Sequence, residues 1–301
     1  MTFDEFWGQV VNFSDYGELL NLVRFSLIAA AVLGIAGGLI GVFVMQRDMA
    51  FAVHGISELS FAGAAAALLF GVNVVAGSLL GSLVAALLIG MLGAKARDRN
   101  SIIGVLMPFG MGLGILFLAL YTGRSGNKFG LLTGQIISVD SEQLGLLIVI
   151  SVVVLAALFV VWRPLTFDSL DPEVAAARGV PSRALALGFM VLLGLMVAVA
   201  VQIIGALLVM ALLVTPAAAA MRVSSSPRLV PVLSMIFGFV SATGGVLLAI
   251  GGSLPISPYI TTISFVIYLV CRVIGSRRAS GGRRVSRATT PRAMTSSGTR
   301  S

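Results

Sequence analysis

Residues 143–162 read QLGLLIVISVVVLAALFVVW and contain no Asp, Glu, Lys or Arg. A helix that crosses a bilayer needs about 20 consecutive apolar residues, and this run has that length. Five more charge-free runs surround it, at 25–46, 59–94, 100–123, 184–221 and 229–271. Those at 25–46 and 100–123 are one helix long, and the other three can hold two each. The 301-residue chain is 58% hydrophobic and 11% charged, where a soluble domain carries about 25% charged residues. These runs predict an all-α, polytopic membrane protein. A β-barrel is excluded, because its strands would alternate apolar and polar residues over about 10 positions.

Glycine, proline and lone amides at FGVN (70–73), VQIIG (201–205) and GGSLPISP (251–258) divide the long runs. The reading places about nine spans, near 21–45, 57–71, 74–93, 101–121, 143–162, 184–202, 204–221, 229–250 and 259–275, with eight as the alternative count. The second span is short and is expected to be tilted or partly re-entrant. With nine spans the termini lie on opposite sides. A cytoplasmic C-terminus puts 17 of the 20 Lys and Arg inside and leaves Arg24, Arg124 and Lys128 outside. The positive-inside rule therefore selects N-out, C-in. Residues 1–20 are acidic, lack the basic start of a cleaved signal peptide, and form an outer segment ahead of a retained first anchor. Residues 21–275 form the transmembrane domain, with a cytoplasmic loop at 163–183. The tail 276–301 is rich in Arg, Ser, Gly and Thr and is expected to be disordered. Beside a membrane it reads as an orientation signal and a contact for anionic lipid rather than for nucleic acid. The single cysteine, Cys271, cannot form an internal disulfide.

Small residues recur within the spans, as in LGIAGGLIGVF (33–43), GSLLGSLVAALLIG (77–90) and GMGLGILFLAL (110–120). Small-xxx-small pairs let helix backbones approach closely, so these stretches serve tight packing or line a cavity. Pro108 and Pro216 fall inside spans and are expected to kink them or mark broken helices.

No Walker A loop, Cys/His zinc cluster or Ser-His-Asp set is present. The chain does not read as an enzyme and carries no nucleotide engine. Two features remain. His54, the only histidine, stands four residues before Glu58, the only acid between Asp48 and Asp98. Positions i and i+4 share a helix face, and ionisable groups at membrane depth usually face a bundle interior or a pathway. Imidazole with carboxylate suits Zn²⁺, Mn²⁺ or Fe²⁺. One chain supplies two such ligands, and a two-fold dimer would supply four. The competing reading is a pair that satisfies itself and locks two helices. The second feature is the loop DPEVAAARGV (171–180). Asp171 reads as N-cap, Pro172 as N1, Glu173 as a first-turn acid and Gly179 as the helix stop. Such a helix suits docking on a partner, or is an ordinary structured loop.

At this point the chain resembles the integral membrane permeases of zinc/manganese/iron ABC transporters, over about residues 20–275. MQRDMAFAVHGISELSFAG (45–63) is similar to the family's R-x-M-A-x-x-G-D-A-L-S-H-A-x-x-x-G segment. FDSLDPEVAAARGVP (167–181) resembles its F-D-P-E-x-A-x-x-x-G-V loop, and IIGALLVMALLVTPAAAAMRV (203–223) its V-G-x-L-L-V-x-A-L-L-x-x-P-A-A-x-A span. SLPISPYITTISFVIYLV (253–270) fits its final loop and helix. One departure stands out. Where the family has Asp and then His, this chain has His54 and then Glu58, with Ser57 kept between them.

The resemblance implies a homodimeric permease subunit of the cytoplasmic membrane that imports a divalent zinc, manganese or iron ion. It implies His54, Glu58 and Ser57 on the ion's path, and Asp168, Asp171, Glu173, Ala176 and Gly179 in the loop that contacts the ATPase. No cofactor is expected to be held permanently. ATP would be bound by separate cytoplasmic ATPase subunits, and an extracytoplasmic metal-binding protein would deliver the ion. Two alternatives stay open: an iron–siderophore or cobalamin permease, which would be nearer ten spans, and an ATP-independent cation carrier, which would carry more intramembrane charge.

Overall fold

The charge-free runs become helices because a backbone in hydrocarbon must satisfy its own N–H and C=O groups, and a helix does so within one segment. The computed structural model describes residues 20, 23–93, 96–123, 130–131, 139–206, 208–250 and 256–288. These residues form twelve helices. In chain order they are α1 (Arg24–Gln46), α2 (Ala50–Phe70), α3 (Val74–Leu92), α4 (Ala96–Leu120), α5 (Ser141–Val160) and α6 (Trp162–Leu170). There follow α7 (Pro172–Ala177), α8 (Ser182–Ile204), α9 (Val209–Leu213), α10 (Thr215–Val223), α11 (Leu229–Ile250) and α12 (Ile256–Ala288). Among the described residues, eight helices are long and apolar enough to cross a membrane: α1 to α5, α8, α11 and α12.

Successive passes alternate in direction. α1 runs antiparallel to α11, with Gly34 against Gly238 and Gly38 against Ser234. A Cβ on Gly34 would lie 2.5 Å from the Gly238 carbonyl oxygen, so the two backbones touch only because neither residue has a side chain. The Ser234 hydroxyl donates to the Gly38 carbonyl across the same seam. α2 meets α3 in the same way, Gly63 against Gly77. The small-residue stretches at 33–43 and 77–90 thus contribute close backbone packing. α3 in turn lies antiparallel to α8, and a ladder of buried hydroxyls joins three helices: Ser60 to Ser78, and Ser78 to the Ala198 carbonyl. α1, α2 and α8 are the most buried of the eight, and α12 the least. Large apolar side chains such as Leu80, Val149, Phe239 and Phe265 are exposed on the outer helices, as lipid-facing surfaces require.

Two expectations change. The second span is not short. α2 begins at Ala50, and His54, Ser57 and Glu58 lower the hydropathy of its first half without interrupting the helix. The seventh expected span, 204–221, is not one helix. Gly205 has φ +82° and ends α8, and Pro216, which lacks an N–H, sits in the first turn of α10 after the short α9. The broken segment is packed within the bundle, with Leu213 against Gly37, Ala217 against Gly41 and Arg222 against Gly275. Its irregular backbone is tolerated at that depth because protein surrounds it: Val209, Leu212 and Leu213 are buried. It is a shorter apolar segment, Val209–Val223, beside the eight long helices. Pro108 lies inside α4, and Pro216 lies in the first turn of α10. α12 continues past the last span as far as Ala288. Arginine is a good helix former and a packed span supplies the nucleus from which helix propagates. Residues 1–19, 124–129, 251–255 and 289–301 lie outside the described residues, and with them the outer segment, Arg124, Lys128, most of the third expected break and the tail's end.

Candidate functional site

α1 stops at Gln46 and α2 starts at Ala50, so the chain reverses over three residues. Asp48 takes φ +53° to make that reversal, and the Met49 N–H donates back to the Val44 carbonyl at 2.8 Å. Asp tolerates the left-handed region better than most residues. The tight turn places His54 and Glu58 in the first half of α2, a helix packed against both α3 and α4.

His54 Nε2 and Glu58 Oε1 are 3.7 Å apart. That is within ion-pair distance for a protonated imidazole and is too long for a hydrogen bond. The Glu58 side chain is 4% exposed and that of His54 is 28% exposed, so the pair is closed on one side and open on the imidazole side. Two ligands bound to one ion at about 2.0–2.2 Å with tetrahedral geometry are roughly 3.4 Å apart. A small side-chain adjustment would therefore let one divalent ion touch both. Among the described residues no group of three or more His, Cys, Asp or Glu side chains comes together, so one chain offers this pair alone. Ser57 does not join it. Its hydroxyl donates to the His54 carbonyl at 2.8 Å and so is directed along its own helix.

The loop between α5 and α8 holds α6 and α7. Asp171 caps α7, accepting from the Val174 N–H at 3.0 Å, and Pro172 occupies the first turn with Glu173 beside it. Gly179, at φ +81°, closes the helix: its N–H reaches the Ala176 carbonyl and the Val180 N–H reaches Ala175. That pair of bonds is the Schellman closure a left-handed glycine permits. Asp171, Glu173, Ala176 and Gly179 are exposed, while Ala175 is fully buried and anchors the helix. Asp168 separates from this set. It is buried, and its Oδ2 lies 2.9 Å from Arg47 Nη1.

Arg47 and Arg99 are the functional candidates that sequence reasoning passed over. Arg99 Nη2 donates to the Arg47 and Asp48 carbonyls at 3.2 and 3.4 Å and so holds the α1–α2 turn. A cavity of about 990 Å³ opens at this end of the bundle, with Arg47, Arg99, Asp168 and Arg183 on its polar side and Leu187 and Met190 on its apolar side. The available signal was a lone arginine ending an apolar run, and nothing local paired it with Asp168.

Similarity to known proteins agrees with the motifs. Residues 20–275 match the ABC 3 transport family. The chain is 31% identical over 222 residues to the manganese transport system membrane protein MntC of Halalkalibacterium halodurans, covering 73% of this chain and 76% of that protein. It is 25% identical to the high-affinity zinc uptake system membrane protein ZnuB of Buchnera aphidicola, over 85% of this chain and 98% of that one. Among solved structures, PsaBC from Streptococcus pneumoniae in complex with Fab superposes with a TM-score of 0.77 at 25% identity, over 86% of this chain and 95% of that chain. A bundle of membrane helices whose every pass lies within one family match is decisive, and the chain belongs to the ABC 3 transport family, the metal-ion ABC permeases.

Proposed function

We propose that this chain is the membrane permease of an importer for a divalent transition-metal ion in the cytoplasmic membrane. It works as a homodimer, driven by separate cytoplasmic ATPase subunits and supplied by an extracytoplasmic metal-binding protein. The observation that carries this reading is the buried Glu58 beside the half-open His54, within one of the most enclosed helices of the bundle. A carboxylate at that depth is costly unless it serves a cation or a partner, and imidazole with carboxylate is the donor set for Zn²⁺, Mn²⁺ or Fe²⁺. A second copy across a two-fold axis completes four ligands.

The exposed α7 is the docking element for the ATPase. The side bearing α6 and α7 is cytoplasmic, in keeping with its Arg47, Arg99, Arg163, Arg178 and Arg183. MntC and ZnuB are named for manganese and zinc respectively, and their likeness to this chain supports a first-row divalent ion as cargo. The test is competition uptake of Mn²⁺, Zn²⁺ and Fe²⁺ into vesicles holding the permease, its ATPase and its binding protein. ATP-dependent uptake of one of these ions, lost in Glu58→Gln, is expected. Equal uptake with and without the ATPase would overturn the reading in favour of a self-contained carrier.

A further inference from the structure

We infer that the Arg47–Asp168 pair is a positioning link that carries movement of the loop helix α7 to the α1–α2 turn, and so to His54 and Glu58. The inference rests on the permease reading above and names the residues through which its two ends communicate.

Asp171 is at once the C-cap of α6 and the N-cap of α7, so no flexible linker separates the two helices. α6 is fastened to the end of α1 at two points. At its start, Trp162 stacks edge-on against Phe43 with ring centroids 4.9 Å apart. Near its end, Asp168 pairs with Arg47 at 2.9 Å, and the same Nη1 donates to the Ser169 hydroxyl at 3.2 Å. Arg47 is held in turn by the Phe189 ring of α8, 5.9 Å from its guanidinium carbon. From Arg47 the route is covalent: three turn residues, braced by Arg99, lead into α2. The apolar contact alone would leave α6 free to pivot about Trp162, and the buried charge pair removes that freedom. Asp168, Ser169 and Pro172 form one wall of the 990 Å³ cavity, so α6 can shift on that side without meeting packed core. A link between two elements with open volume beside it suits a moving part better than a staple in a closed core.

The test pairs Asp168→Asn, which keeps size and removes charge, with Asp168→Glu, which keeps charge. Each is reconstituted in liposomes with the ATPase and binding protein, and uptake of Mn²⁺, Zn²⁺ and Fe²⁺ and phosphate release are measured on the same vesicles. Asp168→Asn is expected to lower uptake tenfold or more while phosphate release stays within twofold, and Asp168→Glu to restore at least half of the uptake. Unchanged uptake in Asp168→Asn, or uptake and phosphate release falling in equal proportion, would overturn the link. A second measurement needs no transport: hydrogen exchange of the permease alone in lipid nanodiscs. Asp168→Asn should speed exchange of amides 47–54 at least tenfold and leave α11 unchanged. No change at 47–54, or faster exchange throughout the bundle, would also overturn it. If the wild type carries none of the three ions, the permease reading fails, and the exchange result judges the link by itself.

Discussion

Glu58 is buried, and among the described residues the one ionisable side chain within ion-pair distance of it is His54, whose Nε2 stands 3.7 Å away. A carboxylate so placed has no Lys or Arg on its own helix to offset it. Its charge is therefore available to a passing cation. Glu58→Gln keeps the shape and removes that charge, and is expected to lower ATP-dependent metal uptake at least a hundredfold while the protein still purifies as a folded membrane protein. Uptake assays beside a thermal-unfolding scan separate the two effects.

The half-open side of the pair is where a second copy belongs. His54→Cys in a Cys271→Ser background should crosslink to its twin, directly or through a short bifunctional reagent, and run as a dimer on denaturing gels. Phe265, exposed on the outer α12, serves as the contrasting position. Crosslinking at 265 with none at 54 would place the dimer axis elsewhere.

α7 is short and depends on its caps. Asp171→Ala removes the bond to the Val174 N–H, a loss of about 1 kcal/mol for a helix cap. Gly179→Val places a β-branched residue at φ +81°, where the left-handed conformation costs about 1–2 kcal/mol. Both variants should keep the bundle intact, bind the ATPase more weakly and uncouple ATP hydrolysis from uptake. Pull-down of the ATPase and the ratio of ions moved to phosphate released are the measurements. Normal binding and transport in both would exclude α7 as the docking element.

The seam between α1 and α11 has no room for side chains. Gly34→Val would drive its Cβ into the Gly238 carbonyl, 2.5 Å from the ideal position, and overpacking of this kind costs about 1–3 kcal/mol. The variant is expected to unfold at lower temperature in detergent. Gly104, whose added Cβ would meet nothing within 4 Å, should accept alanine without a shift.

The contrast between what the sequence displayed and what it hid follows from range. Span positions were legible because hydropathy is summed along one segment, and the cap of α7 because Asp171, Pro172 and Gly179 act on backbone groups within a few residues. The break at 205–216 was legible in part: Gly205 and Pro216 both mark it, yet the uninterrupted apolar run between them reads as one helix. The early start of α2 was obscured by the polar residues that make it a candidate site. Arg47 and Asp168 could not be paired at all. Their contact depends on how α6 folds back against α1, and no spacing records that.

The exchanged order of the pair is the most informative position to alter. The metal-ion ABC permease pattern that this chain resembles places an acid before the imidazole, whereas here His54 precedes Glu58. On a helix the two orders put the same donors on the same face, one turn apart in opposite sense. A two-fold dimer would thus present two imidazoles and two carboxylates either way, at altered depths. The double variant His54→Asp with Glu58→His restores the common order. If only the donor set matters, it should keep at least a third of wild-type uptake, although His54→Asp and Glu58→His each lower it more than tenfold, a non-additive result expected of residues that share one ligand. If depth sets selectivity, uptake should persist with the ratio of Mn²⁺ to Zn²⁺ transported changed several-fold. Competition uptake with both ions present reads the two outcomes together. Wild-type rates in all three variants would remove the pair from the ion's path and leave it as a structural contact within α2.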